Sequence, residues 1–525
     1  MPKGYLALIL HAHLPFVRHL RNDHPLAEKW LFEAMTECYI PLLQTFFRLT
    51  EDGVPFRLTF SLSPTLMSML DDPLLQERYL RHLEGLFELA TKEVERTARD
   101  RELNPLARMY QENFRQALEF YEKRWGGRLL DAFKALAQAG RLELITTAAT
   151  HGFFPLLELT PAALKAQVQV AVQTFAARFG FRPQGFWLPE CGYPGGRDQI
   201  LLNNGIKYTI LEAHGLQNGR PQPKQGVYQP IQTPDGLIVF GRDGESSKQV
   251  WSAKEGYPGD YDYREFYRDI GFELDWDYLK EYLPGVRTHL GLKYYRITGK
   301  SDYKEYYRPE WAQAKAALHA GNFMFNREKQ VEYLAALTEN PPIIVAPYDA
   351  ELFGHWWYEG PLWLEYLLRK MAFDQETVKT ITPGEYLEKY APAEVVEPTM
   401  SSWGYKGYSE VWLNGSNDWI YRHLHKAAER MVELARKFPA ADGLTRRWLN
   451  QAARELLLAQ SSDWPFIMYT GTVVDYAKTR FIQHIGRFTF LYENLLRGEV
   501  QETELRELEE EDNLFPELDY TVYAS

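Results

Sequence analysis

The segment Ile343-Ile-Val-Ala-Pro-Tyr-Asp349-Ala-Glu351-Leu-Phe-Gly-His355-Trp356-Trp357-Tyr358 runs from an apolar strand pattern straight into two carboxylates, a histidine and three adjacent aromatics. That density of polar and aromatic groups does not suit a core, and exposed tryptophans with nothing to bind are a liability, so the segment reads as a site. A further carboxylate, Glu190, stands just past the apolar run in Gly185-Phe-Trp-Leu-Pro-Glu-Cys191. Trp187 and Pro189 offer low-dielectric walls able to tune its pKa. Alone, Glu190 reads as readily as a surface-loop residue. Together with Asp349 it supplies what glycoside chemistry needs: one carboxylate to attack an anomeric carbon, and another to protonate the leaving oxygen and later deprotonate the acceptor. A separation of ~5 Å between such groups gives retention through a covalent glycosyl-enzyme.

His11-Ala-His13-Leu-Pro15 follows an apolar run at residues 5–10. Two histidines at this spacing can bind a metal, donate hydrogen bonds into a pocket, or serve packing. A metal normally takes three or four protein ligands, and no neighbouring carboxylate pair completes a set here. His151, after the run at 142–146, and His214, after 208–211, repeat the placement, which suggests one pocket for His11, His13 and His151. Taken singly, Arg264, Trp276, Trp403, Trp412 and Asp463-Trp464 each read as structural more readily than functional.

Short apolar runs at 5–10, 56–60, 142–146, 185–188, 208–211, 343–346 and 378–381 read as buried parallel strands, with helical patterns between many of them at, for example, 161–179 and 360–371. Alternation of this kind implies an α/β layer arrangement, and polar residues clustered after strand ends favour a closed barrel. Residues 73–140 read as a helical insertion. Residues 217–330, rich in Gly, Pro, Tyr and charge, read as a long loop region near a site. From about 410 the pattern turns helical, with amphipathic stretches at 418–437, 444–460 and 474–497. The expected division is a catalytic domain over 1–409 and a helical domain over 410–525.

A net charge of −12 argues against a phosphate backbone or an anionic membrane as the natural partner, since both ask for a basic surface. Only Cys38 and Cys191 occur, so neither a disulfide framework nor a cysteine metal site is expected. The N-terminal apolar run of six residues is too short for a signal peptide, and a cytoplasmic location is the default expectation.

His11-Ala-His-Leu-Pro, His151-Gly-Phe-Phe-Pro155, Trp187-Leu-Pro-Glu190 and Asp349-Ala-Glu-Leu-Phe-Gly-His355 resemble the ordered motifs of glycoside hydrolase family 57. The helical C-terminus, with Ser401-Ser-Trp403-Gly and Ser461-Ser-Asp463-Trp464-Pro, resembles the branching enzymes within that family. The resemblance implies a (β/α)7 barrel with a helical insertion and a C-terminal α-helical domain packed against the cleft. It implies Glu190 as nucleophile, Asp349 as general acid/base and no cofactor or metal. Arg264, Trp276, Trp403 and Asp463 are implied glucan contacts; His11, His13, His151, Glu351, His355, Trp357 and Trp412 complete the expected substrate-binding set. Branching enzymes of this kind also carry a loop tyrosine that favours transfer over hydrolysis, for which Gly-Tyr257-Pro-Gly is the candidate. The expected activity is cleavage of an α-1,4 bond and transfer to a 6-hydroxyl. The rivals are an α-amylase or 4-α-glucanotransferase with the same carboxylates, a zinc-dependent carbohydrate deacetylase, and a glucan-binding protein without catalysis.

Overall fold

A computed structural model describes residues 2–20, 26–252, 255–299, 301–392 and 394–524. Ala253, Lys254 and Lys300, within the expected loop region, lie outside the described residues. The sheet contains β1 (Gly4–Ala12), β2 (Leu58–Leu62), β3 (Leu142–Thr147), β4 (Gly185–Trp187), β5 (Tyr208–Leu211), β6 (Ile231–Gln232), β7 (Ile238–Gly241), β8 (Ile343–Asp349) and β9 (Val378–Thr380). Every residue of β1 and β2 is buried, as strands sandwiched between a barrel interior and an outer helical layer must be.

Parallel pairing runs β7-β5-β4-β3-β2-β1-β8. The ring closes where Arg242 bridges Val345 in parallel and the Asp243 N–H donates to the Val345 carbonyl at 2.9 Å. The fold is therefore a (β/α)7 barrel, and its seventh strand corrects the sequence reading. The expected strand at 378–381 forms β9, which lies outside the ring and pairs with the first residues of β1, Gly4–Leu6. β7 falls inside the stretch read as loop, although Leu237-Ile-Val-Phe240 between Gly236 and Gly241 carries a strand signal. The same stretch also holds most of the 27-residue helix Pro309–Ala335, which packs beside helix Gly360–Phe373.

Between β2 and β3 the chain is helical over Pro73–Arg96, Leu103–Leu118 and Leu129–Gln138. Pro73 at the first turn and the Asp72 carboxylate, accepting from the Leu75 N–H at 3.0 Å, start the first of these. After β9 the chain is helical over Trp419–Lys437, Gly443–Ala459, Asp463–Thr470, Val474–Arg497 and Glu502–Glu511. Helices Gly443–Ala459 and Val474–Arg497 pack on one another, and the turn after the former runs over the carboxyl ends of the barrel strands. Among the described residues no helix is long and apolar enough to cross a membrane.

Candidate active site

Register fixes the floor of the site. His11 on β1 stands opposite Ser61 on β2 and opposite Asp349 on β8, so three polar side chains share one row at the carboxyl end of the barrel. His151 lies just beyond β3, Glu190 just beyond β4 and Arg242 just beyond β7. This is the end at which α/β barrels collect their functional groups. A cavity of ≈ 540 Å³ opens there; Glu190 and Asp349 line it together with His11, His13, His151 and Asp463.

Glu190 is held on a backbone that costs energy. Its φ is +61°, that of Cys191 is +50° and that of His151 is +57°, all in the left-handed region. Non-glycine residues there cost about 1–3 kcal/mol each, which the surrounding packing must offset. The Trp403 indole N–H donates to Glu190 Oε2 at 2.6 Å, the Ser462 hydroxyl to Oε1 at 3.1 Å, and the Trp403 backbone N–H to the Glu190 carbonyl at 2.9 Å. Burial raises the Glu190 carboxyl to about 7, with the nearby charges of Asp349 and Asp463 also raising it and the Trp403 and Ser462 donors opposing the rise. Burial likewise raises Asp349 to about 8, helped by the charge of Glu351 and opposed by Arg242.

Glu351 accepts from the Tyr39 hydroxyl and, at 3.3 Å, from the His13 N–H. Burial lifts it to about 7 against the Tyr39 bond. Asp463 goes the other way: burial pushes it up, but the His13 ring at 3.0 Å and the Ser461 hydroxyl hold it below the usual carboxylate range.

The histidines stack. His13 lies 3.9 Å from His151, centroid to centroid, and His11 is 5.1 Å from both His151 and the Trp187 indole. His11 Nε2 meets His151 Nε2 at 3.1 Å, while their Nδ1 atoms meet Ser61 at 3.1 Å and Ser462 at 2.9 Å. Burial and the neighbouring rings push both well below the usual imidazole range, so each is neutral and serves as a hydrogen-bonding group. Among the described residues the one cluster of three or more converging metal-type ligands is Glu455, His484 and Asp512, in the C-terminal helices.

Of the expected contact residues, Glu351, Trp403 and Trp412 also line this cavity, the last stacked on Phe153 at 4.6 Å. Five others do not. Trp357 is 1% exposed and packs on Trp363 at 5.3 Å in the core; its neighbour Trp356, 54% exposed, faces the cleft instead. Tyr257 is pinned away from the cleft, its ring on His319 at 4.5 Å and its hydroxyl donating to Asn322 Oδ1 at 2.7 Å. His355 holds Glu37 Oε2 at 2.7 Å. Arg264 is buried against the Tyr358 ring at 4.0 Å and lines adjoining cavities, and Trp276 opens the short helix Trp276–Leu279 with the Arg287 guanidinium 5.9 Å from its ring. Site residues that the sequence reading did not single out include Arg242, hidden with β7, Trp251, the last residue of helix Gly244–Trp251, which lines the cavity, and Ser462, which reaches Glu190 from the Ser-Ser-Asp-Trp motif.

A closed α/β barrel with two carboxylates of raised pKa among indole rings at its mouth is the framework of a carbohydrate-active enzyme. Residues 7–398 match the model of glycosyl hydrolase family 57, and residues 423–523 match that of the C-terminal region of 1,4-alpha-glucan branching enzymes. The chain belongs to glycosyl hydrolase family 57. It is 34% identical to a 1,4-alpha-glucan branching enzyme of Thermococcus kodakarensis, an alignment covering 100% of this chain and 79% of the relative. Among solved structures it is similar to the alpha-amylase AmyC from Thermotoga maritima, with 44% identity, a TM-score of 0.94 and coverage of 100% and 99% of the two chains. It is also similar to the family 57 branching enzyme from Pyrococcus horikoshii, with 34% identity, a TM-score of 0.89 and coverage of 100% and 97%.

Proposed function

We propose that the chain is a retaining 1,4-α-glucan branching enzyme with Glu190 as nucleophile and Asp349 as general acid/base. The observation that carries the reading is the pairing of these carboxylates with two residues of the C-terminal helical region: Asp463, which lines the same cavity, and Ser462, which donates to Glu190. That region matches the C-terminal model of branching enzymes. The division into a barrel domain over 1–409 and a helical domain over 410–525 belongs to the same proposal.

In the first half-reaction Asp349, protonated, gives its proton to the glycosidic oxygen while ionised Glu190 attacks the anomeric carbon. The α-1,4 bond breaks and a glycosyl ester forms on Glu190. Trp403 and Ser462 donate to the carboxylate of Glu190 and aim it. In the second half Asp349, now ionised, removes a proton from a 6-hydroxyl, whose oxygen takes the anomeric carbon as the ester breaks. The neutral His11 and His151 brace one another and the Ser462 hydroxyl beside Glu190 without adding charge. A chain of net charge −12 suits a neutral polysaccharide rather than nucleic acid. Two buried, unpaired thiols suit a reducing interior, and we extend the proposal to cytoplasmic glycogen formation.

Two observations favour a second reading, α-glucan hydrolysis: among the described residues no tyrosine lines the catalytic cavity, and a 44% identical structure is an alpha-amylase. Incubation with amylose separates them. Branching yields α-1,6 linkages, released as short chains by a debranching enzyme, in excess over new reducing ends. Reducing ends without α-1,6 linkages would establish the hydrolase instead.

A further inference from the structure

Beside the catalytic cavity lies a larger one of ≈ 730 Å³. The two share Trp251, Leu352 and Trp356, so they form one continuous cleft with Trp356 at the junction. Trp356 is held as a platform: Phe266 stacks behind it at 4.4 Å and 25°, and the His355 ring meets it edge-on at 5.3 Å. Its indole is nonetheless 54% exposed, and Tyr267, also lining the second cavity, is 73% exposed. Large aromatic faces left open along one concave surface mark a ligand, and flat rings suit the apolar faces of sugars. The ion pair of Lys304 with Glu265 at 2.8 Å sets a polar rim for hydroxyls.

The position of the groove assigns its occupant. Leu352 and Trp356 belong to the loop that continues from Asp349, whereas Trp403, Ser462 and Asp463 gather on the Glu190 side. A general acid/base sits against the leaving oxygen in the first half-reaction and against the incoming hydroxyl in the second. A groove leading off the acid/base loop is therefore where the leaving chain departs and the incoming chain arrives.

We propose that this second cavity is the acceptor-chain groove, which binds the α-1,4-glucan that takes up the cleaved segment, with Trp356 as its stacking platform nearest the reacting centre. The proposal rests on the branching reading and names the site that serves it. The acceptor's 6-oxygen bonds to the anomeric carbon as the ester to Glu190 breaks; the hydroxyl proton passes to Asp349, and Glu190 leaves as carboxylate. A filled groove also keeps water from the ester while the acceptor is present.

The test compares the parent enzyme with Trp356→Ala and Trp356→Phe on amylose, counting α-1,6 linkages and new reducing ends in the same samples. The ratio of linkages to reducing ends falls about tenfold in Trp356→Ala, the effect of losing one ring contact, and Trp356→Phe restores most of it. A ratio within about twofold of the parent overturns the proposal. Tyr267→Ala, at an exposed position, gives the same lowered ratio should Trp356→Ala not fold, and an unchanged ratio there counts equally against it. If the parent itself forms no α-1,6 linkages, the branching reading fails and the groove is judged on hydrolysis. The parent's KM then falls as maltooligosaccharides lengthen and Trp356→Ala flattens that dependence; parallel dependences overturn the groove.

Discussion

The Trp403 indole N–H sits 2.6 Å from Glu190 Oε2, the strongest donor holding that carboxylate down against burial. Catalysis asks for opposite protonation states in two buried acids: Glu190 ionised to attack, Asp349 protonated to donate. Activity is lost on the acid side as pH falls through about 7, where Glu190 takes a proton, and on the basic side as pH rises through about 8, where Asp349 loses one. The pH dependence of kcat/KM is thus a narrow bell, and its limbs belong to the coupled pair. Trp403→Phe removes a bond that favours the ionised form, so the acid limb moves up and the maximum drops. An acid limb that stays in place in this variant would exclude Glu190 as the group that must ionise. The carboxylates and His11, His13 and His151 could be located in the sequence because each ends or follows an apolar strand run, and strand ends of one barrel converge. The choice between Trp356 and Trp357 could not: adjacent residues in a turn have no period, and the Tyr263 ring that helps take up Trp357, at 5.6 Å, is distant in sequence.

At the scale of elements, the loop after β8 is braced by a π-helix, Ala34–Tyr39, an irregular turn that often marks a functional site. Three consecutive residues of it grip the loop. Glu37 Oε2 accepts from the His355 ring at 2.7 Å, Cys38 Sγ meets the Glu351 carbonyl at 3.5 Å, and the Tyr39 hydroxyl donates to Glu351 Oε1. The loop lies so close that a Cβ on Gly354, whose φ is +113°, would fall 1.7 Å from the Glu37 carbonyl oxygen. Tyr39 thereby influences a proton it does not touch. Its bond opposes the burial that raises Glu351, and the charge of Glu351 in turn raises Asp349. In Tyr39→Phe, Glu351 takes up a proton more readily, its charge is lost near neutrality, and the Asp349 carboxyl falls. The basic limb of the pH profile then moves to lower pH, with kcat reduced more than KM is raised. A purely structural brace would lower kcat without moving that limb. None of this was legible in the sequence, because a π turn has no compositional mark and its partners lie more than 300 residues away. The β7 strand was missed for a different reason: four apolar residues between glycines are a weak signal inside a stretch rich in turn formers.

For the whole molecule, the question is what obliges the C-terminal helices to stay on the barrel, since Ser462 and Asp463 reach the cleft only while they do. Helix Gly443–Ala459 leads into both residues and carries Glu455; helix Val474–Arg497 carries Arg480, His484 and Arg487; Asp512 follows helix Glu502–Glu511. These side chains meet in the interior. Asp512, with no exposed surface, pairs with Arg487 and lies 3.7 Å from Arg480 and 3.8 Å from His484, which holds Glu455 at 2.8 Å. Two guanidinium groups already supply the positive charge these acids require, which argues for an ion network rather than a metal site. Burial and the arginines drive His484 down to about 3, so it is neutral at working pH. The network reaches the barrel as well: Arg480 donates to the Phe16 carbonyl at 3.4 Å, and Asn513 donates to Asp72, the helix cap, at 2.8 Å. Removing one partner of a buried ion network leaves the others uncompensated and costs about 3–5 kcal/mol. Asp512→Asn keeps the shape and removes the charge, so its unfolding free energy, measured by denaturant titration, falls by that amount, while activity and helical signal still disappear in one transition because the same helices carry the site. A loss below about 1 kcal/mol would deny the network its part in stability. Activity that survives beyond loss of the helical signal would show that Ser462 and Asp463 are dispensable to the cleft.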